Sequence, residues 1–132
     1  LPTLSPDDKW LAYVSRESGR PEIYIVPFLH GSGRQEVSTA GGFWPRWRRD
    51  GRELFYVSLD RKLMSVEIAE QGSHLIVGKV QELFQAELPS SGGRVFDVAP
   101  DGKEFITLGM DAQQAETRLT LVTNWPALLK QQ

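Results

Sequence analysis

One fifteen-residue pattern occurs three times in this chain. An internal repeat limits the possible folds more than composition does, because each copy has to bury its apolar face against a neighbour. The segments LPTLSPDDKWLAYVS (Leu1–Ser15), WPRWRRDGRELFYVS (Trp44–Ser58) and VFDVAPDGKEFITLG (Val95–Gly109) align without gaps. Asp7, Asp50 and Asp101 share one column, followed by Asp8, Gly51 and Gly102, then by Lys9, Arg52 and Lys103.

The columns make physical sense as hairpins. Asp-Gly suits a tight turn between strands because the turn needs a positive φ, which glycine adopts freely. Aspartate tolerates that region better than most residues, so Asp8 is an acceptable replacement in the first copy. The strand after each turn is nearly continuous in apolar residues: Leu11–Val14, Leu54–Val57 and Phe105–Leu108. Runs of that kind suit strands covered on both faces. The repeat offsets of 43 and 51 residues lie near the ~40–50 residue period of propeller blades.

Further strands are expected at Glu22–Val26, Leu63–Ile68 and Arg118–Thr123, with outer strands at Gln35–Ser38 and Lys79–Phe84. Turns fall at Ser18–Pro21, Gly31–Gly33, Gln71–Ser73 and Ser90–Gly93. The units then run 1–42, 43–88 and 89–123, and a tail at 124–132 reads as a capped short helix after Asn124. Twelve Gly and eight Pro break the chain into short Val-, Ile- and aromatic-rich segments, which agrees with an all-β fold.

The segment SPDDKWLAYVSRESGRPEIYIVPF (Ser5–Phe28) resembles the repeat of TolB-type, WD40-like propellers, the PD40 repeat. APDGKEFITL repeats its turn well, while RRDGRELFYVS keeps the Asp-Gly and loses the Ser-Pro. The resemblance implies three β-propeller blades of mostly four antiparallel strands. Propellers close with about four to eight blades, so three make half of a six-bladed ring. A second copy or missing sequence completes it, and a start at Leu1 without Met fits a fragment or a processed product. The resemblance also implies part of a larger bacterial protein and favours a periplasmic or other extracytoplasmic location.

The motifs of several chemistries are missing. There is no Gly-x-Ser-x-Gly elbow, phosphate-binding loop or dinucleotide fingerprint. Two histidines, His30 and His74, and zero cysteines argue against a zinc site, and no calcium loop spacing occurs. A net charge of −2 gives no general attraction to nucleic acid or anionic membrane, and no run of about 18 apolar residues spans a bilayer. We therefore expect no catalytic residues, no metal and no cofactor.

Two constellations remain as candidate ligand-binding residues. Thr3, Arg46 and Asp97 align on the first strand of each unit, where propeller side chains approach the central channel. They can orient a peptide or pair with one another, Arg46 with Asp97. Trp44 and Arg48 belong to an aromatic–guanidinium alternation that suits a carboxylate or an aromatic side chain. The alternative is that Trp44 and Trp47 pack between blades while the arginines form a solvated rim. The expected function is a non-catalytic binding or scaffold module for a protein or peptide, with a homodimer for the isolated chain. The alternatives are the substrate-gating lid of a prolyl-oligopeptidase-like serine peptidase and the sensor of a signalling protein. Trp47→Ala is expected to destabilise the chain more than Arg48→Ala, because losing a packed aromatic outweighs losing a surface guanidinium. Equal melting shifts for the two variants would remove the blade-packing assignment.

Overall fold

The structure, a computed structural model, describes residues 2–29, 33–85, 96–99, 105–111 and 116–122. It is all-β. Strands β1 (Thr3–Leu4), β2 (Trp10–Ser15), β3 (Glu22–Pro27) and β4 (Gln35–Glu36) form one antiparallel sheet in sequential order. Strands β5 (Phe43–Trp47), β6 (Glu53–Val57), β7 (Lys62–Gln71) and β8 (His74–Gln85) form a second, ordered in the same way. A third sheet pairs β9 (Phe96–Val98), β10 (Phe105–Asp111) and β11 (Glu116–Val122), with β10 central. The expected turn at Asp101-Gly102, the loop Ser90–Gly93, His30 and the tail 124–132 lie outside the described residues.

Register shows that the sequence columns are structurally equivalent. Thr3 pairs with Ala12, Arg46 with Phe55 and Asp97 with Ile106. One step along, Leu4 pairs with Leu11, Trp47 with Leu54 and Val98 with Phe105. The same partners meet in all three sheets because the turn between them has one length, and turn length sets register.

The turn is not the two-residue type that Asp-Gly alone suggests. The amide of Asp8 donates to the Ser5 carbonyl at 2.9 Å, and that of Gly51 to the Arg48 carbonyl at 2.9 Å. Only the fourth residue is left-handed, with φ of 61° at Asp8 and 75° at Gly51. The preceding aspartate braces each turn from its side chain: Asp7 Oδ1 accepts the Lys9 amide at 3.1 Å, and Asp50 Oδ1 the Arg52 amide at 2.9 Å. Aspartate before a positive-φ residue thus supplies an acceptor for the next strand's first N–H.

The first and second sheets stack face to face. Trp10, Ala12, Ile23, Ile25 and Val37 of the first form one buried cluster with Leu54, Tyr56, Val66, Ile68 and Leu75 of the second. Leu54 and Phe55 point to opposite faces of β6 and both are fully buried, each side chain contributing about 1.5–3 kcal/mol. Full coverage fails on β2: Leu11 and Tyr13 are only half-buried, and Leu4 beside them is exposed. Their counterparts Leu54, Tyr56 and Trp47 lie against the first sheet, whereas no sheet precedes Leu11, Tyr13 and Leu4 among the described residues.

The crossover between the two sheets is fastened by one buried carboxylate. Glu22 opens β3, accepts Arg20 Nε at 2.6 Å and the Gly41 amide at 3.0 Å, and is bonded by Ser38 Oγ. Ser38 Oγ in turn accepts the Ile23 amide at 2.8 Å. Gly42 follows where there is no room for a side chain: a Cβ there would lie 2.8 Å from Tyr56 and 2.9 Å from Ile23. Burial pushes against the Glu22 charge, but the Ser38, Arg20 and Gly41 donors outweigh it and hold the carboxyl below its usual range. Burial, helped by Glu22, pushes the neighbouring Tyr56 phenol up to about 12.

Because the folded Glu22 pKa is depressed, the unfolded chain binds more protons and stability rises with pH through this window. The contribution is present above the ordinary glutamate value of 4.5 and is lost as pH falls through the folded value. Asp7 and Asp60 are also depressed, each led by a serine hydroxyl bond, and act with the same sign. Urea unfolding is expected to show Glu22→Gln less stable at neutral pH by about 2 kcal/mol, with the gap narrowing near about pH 3. A constant gap across pH would exclude an ionised Glu22 as the fastener.

Candidate functional site

The three first strands β1, β5 and β9 form corresponding edges of their sheets, and two of the expected site residues meet there. Arg46 Nη2 approaches Asp97 Oδ1 at 3.6 Å, joining the second sheet to the third. The internal ion pair is therefore present. Thr3 takes part through its backbone: its carbonyl accepts Trp47 Nε1 at 3.1 Å, which ties the first sheet to the second. Trp47 packs beside the shared core, as expected of an inter-sheet residue.

Trp44 does something different. The β5–β6 register shifts between Phe43 and Arg46, a bulge on an edge strand. Within it Trp44 adopts φ 53°, a conformation costing an L-residue about 1–3 kcal/mol. Its ring lies 5.5 Å from that of Phe43 and stays half-buried. The bulge breaks the regular alternation of the strand between Phe43 and Arg46. Arg48 is not part of a solvated rim. It bonds Asp50 at 2.7 Å and Glu53 at 3.2 Å, and Ser65 Oγ holds the other Glu53 oxygen. Burial opposes the Arg48 charge, yet these two carboxylates leave its pKa raised.

A second concave surface lies at the turn end of the first two sheets. It is a groove of about 1150 Å³ between the Ser5–Asp7 turn, the Asp50–Arg52 turn and the far end of the β7–β8 hairpin. Trp10, Trp47, Ile68 and Leu75 give it apolar walls, and five carboxylates and two guanidiniums line it. The hairpin is longer than its sequence suggests, pairing as far as Gln71 with His74. Leu75 reaches the shared core, its carbonyl accepts Gln35 Nε2 at 2.7 Å, and Glu70 approaches Lys9 at 3.5 Å. The signal for this extension was the run Leu75–Val77 directly after the Gln71–Ser73 turn. Among the described residues no group of three His, Asp or Glu side chains is placed to hold a metal ion.

No protein-family profile and no curated protein matches the chain by sequence. Solved structures do match by shape. TolB from Acinetobacter baumannii superposes with a TM-score of 0.65 at 17% identity, over 92% of this chain and 29% of TolB. A protein assigned as TolB from Agrobacterium tumefaciens gives 0.62 at 18% identity, over 92% and 44%. The two equivalent four-stranded sheets, stacked and joined by a short crossover, complete the picture. The fold is a β-propeller segment. A protein assigned as a 6-phosphogluconolactonase from Bacteroides uniformis shares it at a TM-score of 0.54 and 14% identity, over 92% and 39%. The chain thus spans between 29% and 44% of the length of these propellers.

The Arg46–Asp97 contact joins a half-buried guanidinium to an exposed carboxylate. A double-mutant cycle with Arg46→Ala and Asp97→Ala is expected to give a coupling of about 0–1 kcal/mol in urea unfolding. A coupling above about 2 kcal/mol would mark a desolvated structural pair instead.

Proposed function

We propose that this propeller segment is a non-catalytic binding module that holds a protein or peptide partner at the channel-side ends of its first strands. The observation carrying the reading is Trp44, which takes a positive φ within the edge-strand bulge that ends at Arg46. Strain at a well-packed edge is a recurrent feature of ligand-holding positions, and aromatic and arginine side chains dominate binding energy at protein interfaces. Thr3 and Asp97 flank this pair on neighbouring first strands, and Arg48, bound by its own carboxylates, supports the turn rather than the ligand.

The third sheet is a third blade in this reading, and the ring is larger than this chain. The half-exposed Leu4, Leu11 and Tyr13 are the counterparts of residues that a preceding blade covers in the second sheet. Either a second copy or sequence outside this chain covers them, which makes the segment half of a six-bladed ring. Likeness to TolB supports a bacterial protein working outside the cytoplasm.

Light scattering of the chain alone is expected to give twice its 14.9 kDa mass, and a monomer would remove completion by a second copy. Selection from a displayed random-peptide library is expected to return ligands whose affinity falls about tenfold on Trp44→Ala with little change in melting. Ligands indifferent to Trp44 would move the site. Turnover of lactone, peptide or phosphoester substrates, abolished by a point substitution, would overturn the non-catalytic reading.

A further inference from the structure

We infer that the groove at the turn end of the first two sheets is a docking site for an extended basic segment of a partner protein. The inference rests on reading the chain as a binding module, but it uses none of the channel-side residues. Three observations converge on it. At about 1150 Å³ the groove exceeds the ~300–1,000 Å³ of small-molecule sites and suits a stretch of chain.

Its charge is lopsided. Five carboxylates face two guanidiniums in a chain whose total is only −2. Of those guanidiniums, Arg48 is already engaged by Asp50 and Glu53. Asp7, Glu67 and Glu70 stand on the exposed rim, where Lys9 approaches Glu70 at 3.5 Å and its charge also favours the Asp7 carboxylate.

The walls supply the third observation. Trp47, half-buried, and the edge of the core residue Trp10 line the same groove as these carboxylates, and Ile76 stands 49% exposed at its rim. An indole beside a carboxylate favours a lysine or arginine, which gains from the ring face and from the charge together. An exposed isoleucine favours an apolar neighbour in the same ligand. A partner alternating basic and apolar side chains satisfies both, whereas phosphate-bearing ligands meet repulsion.

The groove is assembled from two sheets and the hairpin that spans them. The Leu75–Gln35 hydrogen bond and the Lys9–Glu70 contact hold its far wall over the first sheet. The site is thus preformed by packing that the fold already requires, which keeps the ordering cost on the partner's side.

Fluorescence polarisation of the whole chain with two dye-labelled peptides tests the inference. One peptide carries Lys at alternate positions among apolar residues, and the other carries Glu at those positions. The Lys peptide is expected to bind, to weaken as salt is raised, and to weaken about tenfold on Glu67→Lys. Ile76→Ser, also at an exposed position, is expected to weaken it severalfold, and both variants should melt as the parent does. Equal binding of the two peptides, or neither peptide binding, overturns the groove assignment. So does Lys-peptide binding that survives Glu67→Lys and Ile76→Ser. Trp44→Ala separates the two sites: it should leave Lys-peptide affinity unchanged, and a loss there would place the peptide in the channel-side site and sink the groove. Should a groove variant lose its cooperative melt, quenching of tryptophan emission in the Trp44→Ala chain still reports groove occupancy. Absence of that quenching with bound Lys peptide counts against the groove.

Discussion

The face of the second sheet carrying Leu54, Tyr56 and Val66 has to be dry, and the first sheet is what dries it. Trp10, Ala12, Ile23 and Ile25 interlock with those residues, so neither sheet reaches its observed burial without the other. A four-stranded sheet with two apolar faces has no stable solitary form in water. That requirement turns a repeated hairpin into a stack and leaves Leu4, Leu11 and Tyr13 on a face that no sheet covers among the described residues.

Close stacking constrains the connection between the sheets. The chain must leave β4 and enter β5 within a few residues while its backbone polar groups stay satisfied. Glu22 meets that need by accepting from Ser38, Arg20 and the Gly41 amide at once, and Gly42 lets the backbone pass against Tyr56 and Ile23. The long β7–β8 hairpin closes the opposite end, setting Leu75 in the shared core. The groove between the sheets follows from these two fastenings.

The candidate sites were unequally legible. The column Thr3, Arg46 and Asp97 followed from the repeat alone, because equivalent positions on equivalent strands must occupy equivalent edges. That Thr3 would serve through its carbonyl and Arg46 would meet Asp97 depends on distances between sheets. Trp44 looked like a packing residue because its column holds Leu1 and Val95, and the one residue-type sign of the bulge is Pro45 beside it. Arg48 read as a surface cation because nothing in sequence places Asp50 and Glu53 on either side of its guanidinium. The groove was invisible for the same reason, since its acids come from two separate turns and two strands.

Local chemistry settled the hairpins: an aspartate before a residue able to take positive φ, then an apolar strand, determined turn, register and strand order in the repeat. Those are short-range effects, and Asp8 and Gly51 obey them with φ of 61° and 75°. Tertiary structure decided which apolar faces are covered, how far the β7–β8 hairpin extends, and which charges meet. Burial and ion pairing depend on groups far apart in the chain, and only the stacking of one sheet on the next brings Trp47 to the Thr3 carbonyl or Arg46 to Asp97.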